Sequence, residues 1–384
     1  MTRHVLAAGV AITLAVPVLA HACSLCTPLW GKRTWRQETA SAKLVIYGAL
    51  ANPRLPGTPA DSAGATDVHI EQVVKSHPFI TGKKVVTIPR WLPVDSKAPP
   101  KYLIFCDIFR DALDPYHGSP IKSPAAIDYL RGAIALEPAD RVKQLAYFAG
   151  YLDHADAEVV ADAFLEFAKA DDADVAQVAK SLDPVRLRKL VTDPQTPADR
   201  LSLLAYLLGA CGGPADADLL AGLLRQPDER VRSAYSGVLA GYVLLRPTEG
   251  WKFAYALLGD SKRPYPERGA VVSTLRFFHA TRPDARREVL HGMALILPQG
   301  DMADMAFEDL RKWQWWDLTT EALAQFPKKS HSSPLVRRSI VRYALACPKP
   351  EAKEFVVAVR RSDPELVKDV EESLEFEKPP VPGK

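Results

Sequence analysis

Beyond its first 22 residues the chain has no stretch long and apolar enough to cross a bilayer; a spanning helix needs about 20 consecutive apolar residues. A basic stripe is missing too. Lys, Arg, Asp and Glu interleave throughout, and the formal net charge is +3. That balance argues against nucleic acid or an anionic membrane surface as a partner. Cysteine is scarce: Cys23, Cys26, Cys106, Cys211 and Cys347 are all there are. An odd count leaves at least one thiol free or bonded to another molecule. The Cys23-Ser-Leu-Cys26 step lacks the following His of a c-type haem site, Thr27 standing there instead, and it lacks the preceding strand of a thioredoxin-like motif. A structural zinc site needs four ligands, and the nearby chain adds only Cys106 as a third thiol. Nothing in the sequence requires a metal or a cofactor, and no catalytic constellation stands out.

What is present starts with an export signal. Met-Thr-Arg-His precedes an apolar run of 16 residues, Val5–Ala20, interrupted by Pro17 and followed by Ala20-His21-Ala22. A charged start, a short apolar run and a small-x-small step predict a cleaved signal peptide over 1–22. The protein is therefore expected outside the cytoplasm: periplasmic, in the cell envelope or secreted. Cleavage makes Cys23 the first residue. Ala20 and His21 are the wrong flanks for a lipid anchor at Cys23, which is the lesser alternative. An exported chain keeps disulfides. The reading favours one bond from Cys23 or Cys26 to Cys106, with a local 23–26 bridge or redox or metal chemistry as alternatives.

Two periodicities divide the rest. Residues 23–136 read as a small β-rich domain. Lys43–Ala51, Asp67–Val74, Lys83–Ile88 and Lys101–Phe109 are runs of β-branched and aromatic residues, separated by Pro- and Gly-rich loops. Ser123-Pro124 then opens a helix predicted through Leu136. From 138 to 378 the pattern is helical. Pro138-Ala-Asp-Arg141 recurs as Pro197-Ala-Asp-Arg200, and Leu145-Ala-Tyr147 recurs as Leu204-Ala-Tyr206. Ala210-Cys211-Gly-Gly-Pro214 matches Ala346-Cys347-Pro-Lys-Pro350. Such self-matches predict stacked helix pairs, six or seven of roughly 35–40 residues each. The first match is offset by 59 residues, which places irregular helices within 155–195. Residues 379–384 read as a disordered tail.

Both parts resemble known families. The Cys23/Cys26 pair, the Tyr47-Gly48 and Val74-Lys75 steps, and the strand bearing Tyr102, Leu103, Phe105 and Cys106 resemble the netrin-like domain of the tissue inhibitors of metalloproteinases. This resemblance implies an OB-like β-barrel. It also implies an alternative function, protease inhibition through a free Cys23 amino terminus. The sequence departs from the family in the spacing of its first two cysteines and lacks the family's further cysteines. The helical part repeats an Asp-x-x-Val start: Asp156-Ala-Glu-Val159, Asp172-Ala-Asp-Val175 and Asp228-Glu-Arg-Val231, with Asp363-Pro-Glu-Leu366 alongside. Followed by Arg232 or Lys368, this start resembles HEAT repeats. The expected fold is therefore α+β: a barrel-like domain, then an α-α superhelix.

A stack of helix pairs buries a continuous core and presents an extended surface. That surface makes an exported, non-enzymatic protein- or peptide-binding scaffold the leading expectation. A thiol or metal activity at the N-terminal cysteines is the alternative from another class. Three local features are candidate sites. Trp313, Trp315 and Trp316 cannot share one face of a helix, so at least one is a candidate anchor for a partner or packs between repeats. Asp111, Asp114, His117 and Ser119 fall in a predicted loop; they offer acid, base and nucleophile types but equally suit a turn. In Asp153-His154-Ala-Asp156, helix capping by Asp156 accounts for the acid better than a metal does. Cys211 and Cys347 occupy equivalent repeat positions and read as small buried thiols.

Overall fold

The structure, a computed structural model, describes residues 25, 32–56, 64–110 and 112–377. The predicted signal peptide, Cys23, Cys26, Asp111 and the predicted tail lie outside them. A short helix α1 (Trp35–Ser41) leads into β1 (Leu44–Arg54), β2 (Ala65–Lys75), β3 (Val85–Ile88), β4 (Lys101–Phe109) and β5 (Ala112–Pro120). The five strands form one antiparallel sheet in the order β3-β2-β1-β4-β5. The edge strands β3 and β5 approach each other, but no ladder joins them among the described residues. The expected barrel is thus not closed; the sheet is open and strongly curled.

Curling gives the sheet two buried faces. On the inner one, Leu44, Ile46, Val68, Ile88, Ile104 and Cys106 pack around Ile80 in a core of their own. On the outer one, Val45, Tyr47, Leu103 and Phe105 join the core of the helices. Both sides of β1 are covered, which is why Leu44-Val-Ile-Tyr47 is a continuous apolar run. The Tyr47-Gly48 step marks a register shift against β2. A Cβ on Gly48 would stand 2.2 Å from the His69 carbonyl oxygen, so only glycine fits there.

The fifth strand corrects the sequence reading, which made FRDALDPYHGSPI a loop. Arg110 takes a positive φ of 50° and turns the chain, and Ala112–Pro120 pairs along β4. Pro115 sits at a register shift opposite Cys106, on the edge strand where its missing N–H costs nothing.

Seventeen helices follow among the described residues. The first five are α2 (Ala125–Ile134), α3 (Arg141–Ala149), α4 (Ala157–Ala168), α5 (Asp172–Ala179) and α6 (Pro184–Thr192). Next come α7 (Ala198–Cys211), α8 (Pro214–Arg225), α9 (Glu229–Ser233), α10 (Tyr235–Leu245), α11 (Pro247–Gly259) and α12 (Tyr265–Thr281). The last are α13 (Arg286–Ile296), α14 (Ala303–Trp313), α15 (Thr319–Leu323), α16 (Pro334–Ala346), α17 (Pro350–Ser362) and α18 (Pro364–Glu377). The self-matched segments 210–214 and 346–350 are equivalent turns, joining α7 to α8 and α16 to α17. Three short helices, α4 to α6, fill most of the stretch expected to be irregular.

The Asp-x-x-Val starts have a physical basis. Asp156 and Asp228 cap α4 and α9 by accepting backbone N–H bonds, and Asp363 accepts from Leu366 at 3.3 Å. Val159, Val175 and Val231 are buried. At α5 the cap position belongs to Asp171 rather than Asp172, and its side chain makes no capping bond.

Neighbouring helices are cross-linked by polar rungs. Ser202 meets Ser236, Arg276 bonds Asp309, Glu308 bonds Arg342, and Arg342 donates to Ser373. Buried His331 bonds the Leu297 carbonyl at 2.8 Å, and Arg268 reaches Asp301. All these links join residues 31 to 34 apart in sequence. From α12 on, every second helix is thus linked at a nearly constant spacing, α12 to α14, α14 to α16 and α16 to α18. One core runs from Leu25 through the outer sheet face to Tyr343, and a smaller one fills α16–α18.

Candidate partner-binding surface

Cys106 has a free thiol, fully buried in the inner core of the sheet. Burial, with Asp114 adding to it, pushes the thiol up to about 12. A thiol in that state is neither a nucleophile nor a redox group. Cys23 and Cys26 lie outside the described residues, so the expected bond to Cys106 gains no support. Cys211 and Cys347 are likewise free.

The acid, base and nucleophile types of the 111–119 segment are spread along β5. Ser119 is buried and accepts the indole N–H of Trp35 at 3.2 Å. His117 stacks on Phe105, with Nδ1 3.9 Å from a Glu38 carboxylate oxygen, too far for a hydrogen bond. Asp114 is exposed opposite Asp107. At 153–156, Asp153 pairs with Arg186, while Asp156 accepts from Glu158 and Lys122. Among the described residues no cluster of three or more His, Cys, Asp or Glu could hold a metal ion.

The three tryptophans do not share a helix. Trp313 ends α14, and Gln314 adopts a left-handed φ of 58°. The N–H of Trp315 returns to Leu310 O and that of Gln314 to Arg311 O, which closes the helix as a Schellman motif. The turn lets all three rings find partners. Trp313 stacks on His279 with centroids 3.9 Å apart, and Arg286 lies over Trp315 at 4.7 Å. Trp316 packs edge-on against Tyr343. Each ring remains half-buried.

A groove missing from the sequence reading lies among the C-terminal end of α10, α11, the end of α12 and the start of α13. Its cavity volume is about 680 Å³. Trp251 and Tyr255, four residues apart and therefore on one face of α11, stack at 5.8 Å and line it. His291 of α13 meets the Tyr255 ring edge-on at 4.5 Å. The Tyr255 hydroxyl donates to the Glu288 carbonyl, and burial together with the Glu288 charge raises the phenol's pKa above its ordinary value. Arg282 is neutralised by Asp284 through two bonds of 3.0 and 2.7 Å. Exposed Arg287 has no hydrogen bond or ion pair among the described residues. The next residue before it, Arg286, belongs to the Trp315 contact, so the aromatic cluster and the groove meet at one turn.

A smaller groove of about 290 Å³ lies between α14, α16 and α18. Its arginines are spent on carboxylates: Arg342 holds Glu308 and Glu377, and Arg338 holds Asp369 at 2.6 Å. It reads as a structural clamp on the last helix.

Trp251, Tyr255, Arg287 and His291 escaped sequence reasoning because four elements contribute to the groove. The Trp251-x-x-x-Tyr255 spacing was the available signal. No protein-family model matches the chain, and no similar curated protein or solved structure was found. The described residues include no helix long and apolar enough to cross a membrane.

Proposed function

We propose that this chain is an exported, non-enzymatic binding protein that holds a protein or peptide segment on its helical face, in the groove between α11 and α13. The observation that carries the reading is the groove itself. It combines an aromatic lining of Trp251, Tyr255 and His291 with an arginine, Arg287, that makes no hydrogen bond or ion pair among the described residues. Apolar and aromatic anchor sites with a few unspent polar groups are what partner side chains fill. The Tyr255–Glu288 bond between α11 and α13 favours the same reading, because it ties two walls of the groove together. Export follows from the N-terminal signal, and the HEAT-like superhelix from the repeated helix starts. The thiol alternative is disfavoured by the buried, protonated Cys106.

The test is capture from the organism's envelope fraction with a photo-crosslinker at position 291. A partner recovered by the native chain and lost with Arg287→Glu/Tyr255→Ala supports the groove. Equal recovery by both, or none even after cross-linking, overturns it.

A further inference from the structure

The segment from Thr34 to Ala42 is tied across the junction of sheet and helices. Trp35 is buried; its backbone N–H donates to Asp162 Oδ1 at 2.7 Å and its indole N–H to Ser119. Arg36 makes a two-pronged bond to Glu166, which also accepts from Arg141. Lys75 donates to the carbonyls of Thr39 and Ala40. Glu38 faces His117 at 3.9 Å and Arg33 at 4.0 Å.

Within this set Asp162 is different. It lies on α4, is buried, and receives two bonds, from Trp35 N and from the Tyr129 hydroxyl at 2.7 Å. Neither donor carries a charge. The nearest cation, Arg36, is spent on Glu166, and Glu166 adds a like charge one turn along the same helix. The ionised carboxylate is therefore desolvated without a counter-ion, a costly state for a buried acid.

We infer that α1 is a proton-sensitive strap, whose docking onto α2 and α4 is tightest when Asp162 is neutral and loosens when Asp162 ionises. The sign follows from linkage. Burial raises the Asp162 pKa to about 7, against the opposing pull of Trp35, Tyr129 and Arg36 and with the help of Glu166. Undocking α1 opens the carboxyl to water, where its value returns to about 4. Between those values the docked form holds the extra proton, so docking weakens as pH rises through the window. Glu166 acts in the opposite sense: burial would raise its pKa, but Arg36, Thr34 and Arg141 hold it below its ordinary value. Its contact fails only in stronger acid, which leaves the strap most secure in mildly acidic surroundings.

Hydrogen exchange of the full chain tests this, with each amide corrected for its intrinsic pH dependence. Protection of the Trp35, Glu38 and Ala42 amides should fall roughly 10- to 100-fold from pH 5 to pH 8, while amides in the middle of α12 hold steady. Asp162→Asn should flatten the profile. Should that variant not fold, Tyr129→Phe removes one of two bonds to the ionised form and should move the midpoint upward. Protection independent of pH in the native chain overturns the strap. So does a drop that Asp162→Asn retains, or a midpoint that Tyr129→Phe leaves in place.

Discussion

Gly237→Ala should be among the most damaging single-methyl changes in this chain. On α10, Gly237 packs against α7 so closely that a built Cβ would lie 1.9 Å from the Ser202 carbonyl oxygen and 2.4 Å from its carbon. One turn on, a Cβ on Gly241 would lie 2.4 Å from Ala205 O. Carbon and oxygen in contact stand ~3.3 Å apart, so α7 and α10 must separate by more than ~1 Å. The obstacle is backbone, which no rotamer change can move. A gap of that size forfeits about a quarter to a half of each neighbouring dispersion contact. Overpacking costs about 1–3 kcal/mol, and rigid backbone puts this site at the upper end. Alanine's better helix propensity returns about 0.5–1 kcal/mol, leaving a net loss near 2 kcal/mol. The assay is urea denaturation followed by circular dichroism, comparing midpoints at unchanged slope. Gly222→Ala is the control: on exposed α8 surface its Cβ meets nothing within 4 Å, so it should stabilise. The double variant Gly237→Ala/Gly241→Ala should cost less than twice the single, because one separation accommodates both methyls. If Gly237→Ala matched Gly222→Ala in stability, the close crossing of α7 and α10 would be refuted.

Other expectations follow from the same geometry. Iodoacetamide at pH 8 should leave Cys106 unmodified in the native protein and label it only after denaturation; Cys211, half-buried with its thiol pushed up by burial to about 11, should react slowly. Arg342→Ala strips Glu308, Ser373 and Glu377 of a shared donor and should cost about 1–3 kcal/mol, read as faster proteolytic release of α18. Asp216 bonds Arg188 and the Gly213 N–H, and Arg188 holds its carboxyl below the usual range. Its stabilising contribution is present above about pH 4 and lost as pH falls through the depressed value; Asp216→Asn should remove that part of the acid sensitivity measured by thermal melting. Arg287→Glu alone should change binding far more than melting temperature, as the arginine is exposed and unpaired.

Much of the sheet was legible because its central strands are buried on both faces. Leu44–Tyr47 and Leu103–Cys106 can be apolar without alternation only inside a protein. The fifth strand was illegible for the opposite reason. As an edge it tolerates Asp114, Pro115 and Gly118, residues that read as turn formers. Helix starts were readable wherever Asp supplies a cap bond. The turn inside the tryptophan cluster was not legible, because a left-handed Gln314 ends α14 in mid-motif and glutamine carries no strong signal for that conformation. The groove was beyond reach, since Tyr255 and His291 meet only after α11 and α13 have packed.

The shared core of sheet and helices gives the molecule a direction. At the first end, Val45, Tyr47, Leu103 and Phe105 supply a face that the earliest helices cannot replace among themselves. At the other, α18 rests on a small aliphatic cluster and a set of arginine–carboxylate ties, with Phe376 almost wholly in solvent. The sheet end is thus a foundation, its core continuous with that of the helices it carries, while the last helix closes over a cluster of its own.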